Sequence, residues 1–315
     1  MEKRNLLLIL IVLYFLSLIA ALYLIFQAPP PAMVRKPIPT FAEAPLAKEG
    51  IALLKIYGPI SISRGLGVPH GIDVDRLVKR LQDLREKPEI KAVVLRINSP
   101  GGSVGSVQEI YSEIKKLSQA GKIVVASLGD VGASGGYYLA CAADKIVANP
   151  GTLTGSIGVI LELPNLNELF KKIGVKIVTV KSGKYKDIGS YTRELTPEEK
   201  EILQSLINDA YEQFVNSIVE GRKIERERVL EFADGRIFTG TQGLKMGLVD
   251  RLGALEEAIK LAADLAGIKG KPKIVTEIEP WEKIMDFFRR SSQEEKFSLP
   301  DILREQKVRF EYILE

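Results

Sequence analysis

The chain has 315 residues, 46% of them hydrophobic, which suffices for one large globular domain or two small ones. Acidic and basic residues are interspersed and leave a formal charge of +4, which argues against a dedicated nucleic-acid surface. The single cysteine, Cys141, excludes an internal disulfide and a zinc cluster built on several cysteines, and its setting Leu139-Ala140-Cys141-Ala142-Ala143 suits a small, buried, apolar role.

In chain order, Leu6 to Phe26 is a nearly unbroken apolar run without charge. At 1.5 Å per residue its length matches the ~30 Å of a bilayer core, so it is expected to be a transmembrane helix. A cleaved signal peptide would have a shorter apolar region followed by a small-x-small site, whereas this run meets Gln27, Ala28 and three prolines. Basic residues lie on both sides (Lys3 and Arg4, then Arg35, Lys36 and Lys48), so charge leaves the orientation open. Residues 28–50 hold six prolines and read as a stiff linker.

The globular part is expected from Ile51. Strand patterns at Ile51–Tyr57, Ala92–Ile97, Ile123–Ala126, Lys145–Ala148 and Val175–Val180 alternate with helical patterns. The helical ones are Val74–Leu84, Val107–Leu117, the stretch after Ser134, Asn165–Ile173 and Leu255–Leu265. A long helix is predicted from Thr196-Pro197-Glu198-Glu199, which has an N-cap threonine, proline at the first position and a capping-box glutamate. Its stripe Leu203, Leu206, Ile207, Ala210, Phe214 and Ile218 should face a core or a partner subunit. A short strand pattern after Gly270, an amphipathic stretch over residues 280–290 and a charged tail close the chain. Repeated β–α alternation predicts an α/β fold with a mostly parallel sheet flanked by helices, whose functional groups gather where strands end and helices begin.

Both glycine-framed turns fall at such places. Gly132-Ala133-Ser134-Gly135-Gly136 puts a serine at a strand-to-helix turn, and Asn98-Ser99-Pro100-Gly101-Gly102 offers backbone N–H groups to an adjacent site. A nucleophile facing oxyanion donors is the layout of a serine hydrolase, although a serine among glycines also suits a helix cap. The frame fits Gly-x-Ser-x-Gly, but the α/β-hydrolase order needs a histidine after the serine, and the one histidine, His70, precedes it by 64 residues in a glycine-rich loop. Lysine is the next candidate base. Lys181, Lys184 and Lys186 crowd one segment, where burial and like charge would lower an ammonium pKa, and nothing in composition chooses among them. Ser156, in Thr154-Gly155-Ser156-Ile157-Gly158, can orient a lysine or simply cap a turn.

These motifs occur in order with Gly183-Lys184-Tyr185-Lys186, Gly235-Arg236-Ile237-Phe238-Thr239-Gly240 and Gly247-Leu248-Val249-Asp250. Over residues 51–268 the chain resembles the short, single-repeat members of the signal peptide peptidase A family, membrane-bound serine peptidases related to ClpP and the crotonases. The resemblance implies a ClpP/crotonase-like domain with Ser134 as nucleophile and Lys186 as general base. It further implies Ser156 as the residue that orients the base, and the N–H groups of Gly102 and Gly135 as oxyanion donors with Gly101 beside them. No metal or cofactor is needed. It also implies a homo-oligomeric ring in which the lysine reaches the serine of an adjacent subunit, a catalytic domain on the extracytoplasmic face of the cell membrane, and remnant signal peptides and other apolar peptides as substrates. Residues 1–27 would be the anchor in the lipid bilayer and 269–315 a C-terminal extension. Three other readings compete: a Ser–Lys protease cutting one particular membrane protein, a crotonase-like acyl-CoA enzyme, and a tethered scaffold without activity.

Overall fold

The computed structural model describes residues 49–61, 72–276 and 311–313. The apolar run at residues 6–26, the linker as far as residue 48, His70 and residues 280–290 lie outside them, and Gly50, read as the last residue of the linker, already opens the first strand because its backbone pairs on both sides. No helix among the described residues is long and apolar enough to cross a membrane.

The sheet begins with β1 (Gly50–Tyr57), β2 (Ile90–Ser99) and β4 (Ile123–Ala133), which pair in parallel in the order β4-β2-β1. Helices α1 (Val74–Arg85) and α2 (Val104–Gln119) make the crossovers, with the three-residue strand β3 (Gly101–Ser103) between β2 and α2. Alternating side chains explain why both faces of this sheet are covered. Ala52, Leu54 and Ile56 of β1, Val93, Leu95 and Ile97 of β2, and Val124, Ala126 and Leu128 of β4 join one large core with α1 and α2. The intervening Ile51, Ala92, Val94 and Val125 pack instead with Ala258, Ala262 and Ala263 of the late helix α8 (Leu255–Leu265). Strand β9 (Lys273–Thr276) adds to the far side of β1, also in parallel.

Strand β4 changes partner midway. Val125–Leu128 pairs with β5 (Lys145–Ala148), whereas Val131–Ala133 pairs with β6 (Leu153–Gly155). The change falls at Gly129-Asp130, where the β2–β4 register also shifts between Ile97 and Ser99. Asn98 spans the break by accepting from the Val131 N–H at 2.9 Å. Two buried threonines satisfy carbonyls that the bend exposes: Thr152 Oγ1 donates to Gly129 O and Thr154 Oγ1 to Gly132 O, each at 2.7 Å. The bend carries the end of β4 to the short helix α3 (Gly135–Ala140), with Ser134 at the junction.

Beyond β6 the chain runs through α4 (Asn167–Lys172) into an arm. None of residues 158–198 is buried. The long helix α5 (Pro197–Arg222) then returns the chain to the core, starting with the capping box expected from Thr196 and Glu199. Its stripe is divided: Ala210, Phe214 and Ile218 are buried, but Leu206 is 54% exposed. After α6 (Arg226–Leu230), β7 (Ile237–Thr239) pairs antiparallel with β6, and α7 (Gly240–Met246) and β8 (Arg251–Leu252) lead to α8. The α/β expectation is met, and every strand pattern but one forms a strand. The exception is Val175–Val180, which pairs with no strand among the described residues and is largely exposed, Val180 at 95%. β-branched residues fit a pleated surface, and here no neighbouring strand supplies one.

Candidate active site

Ser134 occupies the β4–α3 junction with φ 50° and ψ −121°, a conformation that costs a non-glycine residue about 1–3 kcal/mol. Its backbone is fixed on both sides: the N–H donates to Gly155 O and the carbonyl accepts from Tyr138 N, each at 2.8 Å. The hydroxyl makes no cap to the helix it precedes, so capping does not account for it. Ser134 is fully buried, and among the described residues its Oγ has no hydrogen-bond partner. An orphaned buried hydroxyl on a strained backbone is costly, and such costs concentrate where chemistry is done.

The glycine turn lies against this junction. A Cβ on Gly135 would stand 3.0 Å from Gly101 Cα and 3.2 Å from Gly102 N, so the Gly102 N–H sits beside the start of α3. A Cβ on Gly102 would fall 1.9 Å from Ile60 O. That closeness comes from a ladder in which Ile60 N donates to Gly101 O and Ser103 N donates to Ile60 O, both at 2.8 Å. The N–H and C=O of Gly102 therefore face the opposite side. There β10 (Glu311–Ile313), from the chain's own end, runs antiparallel to β3 with Tyr312 opposite Gly102.

Ser156 follows β6, whose Gly155 is the register partner of Ala133, so the two serines sit at neighbouring strand ends. Like Ser134 it has a positive φ, 49°, and its N–H donates to Arg236 O at 2.9 Å. It lines a cavity of about 490 Å³ with Val159, Ile207 and Tyr211. The later motifs brace this centre. Residues 235–240 supply β7 and the acceptor for Ser156. In residues 247–250, Leu248 O accepts from the buried Tyr137 hydroxyl at 2.8 Å, and Asp250 pairs with Arg222 at 2.8 Å and accepts from Ile146 N at 2.7 Å. Cys141 is buried beside them, and desolvation pushes its thiol up to about 12, which leaves it inert.

The lysines are elsewhere. Lys181, Lys184 and Lys186 belong to a turn of the exposed arm. Lys181 pairs with Asp187 at 2.5 Å and Lys184 with Glu198, while Lys186 makes no ion pair among the described residues. Ser134, Ser156, Gly101, Gly102 and Gly135 are thus brought together within one chain, and no hydrogen bond joins Lys186 to Ser134 there. Two contributors were not anticipated from sequence: Asn98 and Thr154, which hold the bent end of β4. Both sit inside motifs read for their glycines and serines, and polar side chains flanking a buried turn were the available signal.

The chain matches the family model of Clp protease over residues 60–152 and that of Peptidase family S49 over residues 116–269. It is 54% identical over 192 residues to a candidate protease of Synechocystis, covering 61% of this chain and 69% of the relative. A candidate protease of Methanocaldococcus jannaschii is 34% identical over 275 residues, covering 87% and 86%. The chloroplastic serine protease SPPA of Arabidopsis thaliana is 37% identical over 259 residues, covering 81% of this chain and 36% of that longer protein.

Proposed function

The chain belongs to peptidase family S49 and is a serine peptidase with a ClpP-like α/β fold, and from that premise we propose that it is a membrane-anchored endopeptidase whose nucleophile is Ser134 and whose general base is Lys186. The observation that carries this reading is the buried, unpartnered Ser134 Oγ on its strained backbone beside the N–H groups of Gly102 and Gly135.

Neutral Lys186 takes the Ser134 proton as Oγ attacks a peptide carbonyl carbon. The Gly102 and Gly135 N–H groups receive the oxyanion, each such donor contributing about 3–4 kcal/mol in comparable sites. The C–N bond then breaks as the lysine ammonium gives its proton to the leaving amine, and water activated by the same lysine hydrolyses the acyl-enzyme. Ser156 would orient the lysine from the neighbouring strand end. Substrate would enter as a strand on β3, the edge on which Glu311–Ile313 already lies.

Because Ser134 Oγ has no partner among the described residues of its own chain, Lys186 is assigned to the Ser134 of an adjacent copy in a homo-oligomeric ring. The exposed Val175, Ile177, Val178 and Val180 and the uncovered half of the α5 stripe support such a contact. Residues 6–26 would anchor the assembly in the cell membrane with the catalytic domain outside the cytoplasm, and its substrates would be apolar peptides, remnant signal peptides among them. The test is cleavage of a fluorogenic apolar peptide by the full chain in detergent, beside Ser134→Ala and Lys186→Ala, with assembly followed by light scattering. Both variants should assemble and lose cleavage; a Ser134→Ala variant that still cleaves would overturn the reading. A panel of unrelated apolar peptides separates a general hydrolase, which cuts most of them, from a protease dedicated to one membrane protein.

A further inference from the structure

The turn that carries Lys186 is tied down by an ion network in which, among the described residues, this lysine of the turn alone makes no ion pair. Arg193 donates from Nε to Asp187 Oδ2 at 2.9 Å and from Nη2 to Asp187 Oδ1 at 2.8 Å. The same guanidinium reaches Glu199, Nη1 to Oε2 at 2.7 Å and Nη2 to Oε1 at 2.5 Å. Glu199 is itself fixed: its side chain is 3% exposed and Oε2 accepts the Thr196 N–H at 2.9 Å in the capping box of α5. Lys181 Nζ bonds Asp187 Oδ1 at 2.5 Å and Lys184 O at 2.9 Å. Lys184 and the Tyr185 hydroxyl both bond Glu198. The charged groups facing the turn, namely Lys181, Lys184 and Asp187 on it and Arg193, Glu198 and Glu199 beyond it, are therefore engaged with one another.

We propose that Arg193 is a positioning residue: its fork onto Asp187 and Glu199 anchors the lysine-bearing turn to the N-terminus of α5 and withholds the Asp187 carboxylate from Lys186. The inference rests on Lys186 being the base. A base must be neutral when it accepts a proton, and an adjacent carboxylate favours the charged ammonium. Asp187 is the next residue in the chain, so its side chain is the nearest acid available to Lys186 once released. Two divergent carboxylates gripped by one planar group call for arginine, since an ammonium lacks the rigid fork.

The full-length protein is assayed as Arg193→Gln, Arg193→Lys, Asp187→Asn and Arg193→Gln/Asp187→Asn, with kcat and KM for an apolar peptide measured against pH and the oligomer mass recorded for each. In Arg193→Gln the acid limb of kcat/KM should move up by roughly one pH unit, with kcat at neutral pH down about tenfold and KM little changed. The double variant should return the limb to its original position, and Arg193→Lys should lie between. If Arg193→Gln does not assemble, Lys181→Gln loosens Asp187 from the other side and should shift the limb the same way by less. An unmoved limb in Arg193→Gln or Lys181→Gln, with Lys186→Ala inactive, overturns the positioning role alone. An active Lys186→Ala removes the base assignment instead.

Discussion

The end of β4 at Ala133 and the arm of residues 158–198 belong to one stretch of chain, yet they are built on opposite principles. Around Ser134 every neighbour is buried, the bend carbonyls are met by Thr152 and Thr154, and the glycines leave no room for a Cβ. In the arm no residue is buried before Glu199, the β-branched stretch Val175–Val180 joins no sheet among the described residues, and the lysine-bearing turn is held by ion pairs. A site that must stabilise charge in a preorganised frame needs the first kind of structure. The second kind suits a segment that would fit a second molecule, as the proposed ring requires. The contrast fits the proposed assembly, in which the nucleophile's half of the site is built within one chain and the base's half would be finished by association.

Mixing two dead proteins tests that division most directly. Ser134→Ala and Lys186→Ala should each lose activity by about a thousandfold or more. Co-assembled from an equal mixture, they should recover about a quarter of the wild-type rate, because a head-to-tail ring pairs an intact serine with an intact neighbouring lysine at that frequency. No recovery from mixed rings would place both groups in the same chain. Next in size, Val178→Asp with Val180→Asp should leave the fold and Tm intact and dissociate the oligomer, with activity falling about a hundredfold at dilute concentration; light scattering and assay at several concentrations decide it. A smaller effect is expected within the rigid half, where Thr154→Val strands Gly132 O and should cost about 1–3 kcal/mol in urea unfolding, with the oligomer unchanged.

The smallest effect concerns acid. The Arg193 guanidinium and the Thr196 N–H hold the Glu199 carboxyl at about 2, below its ordinary 4.5. A depressed carboxyl pKa adds stability that is fully present above its unfolded value and fades as pH falls toward the folded one. The Tm difference between wild type and Arg193→Gln should therefore be constant above about pH 4.5 and narrow as pH falls toward about 2, the share of Asp187, which the same guanidinium holds well below the usual carboxylate range, fading last. A gap that does not narrow at all over that range would assign it to packing of the arginine stem instead of the ion pairs.

The rigid half was the legible half. Parallel strands buried on both faces read as apolar runs, and β1, β2, β4 and β5 followed from them. The capping box announced α5 to the residue. Ser134 and the Gly101-Gly102 turn were visible because glycine is the only residue that allows such approaches, so the constraint is written in residue type. The arm was legible only in part. Val175–Val180 has strand composition, but pairing depends on a partner that local sequence does not encode. Arg193 sits among ordinary surface charges, and nothing in spacing says that an irregular loop will fold it onto Asp187 and Glu199. The pairing of Glu311–Ile313 with β3 joins distant parts of the chain and leaves no local trace.

The midway change of partner in β4 also bears on how the sequence can vary. Side chains alternate along a strand, so a single residue added or lost between Leu128 and Ser134 would turn the hydroxyl to the opposite face while leaving the pairing with β5 untouched. The distance from Val125 to Ser134 is thus a ruler whose unit is one residue. The exposed arm carries no such measure, and insertions there change reach without disturbing the core. In this chain the arm can therefore be lengthened or shortened without moving Ser134, whereas the strand that carries it cannot.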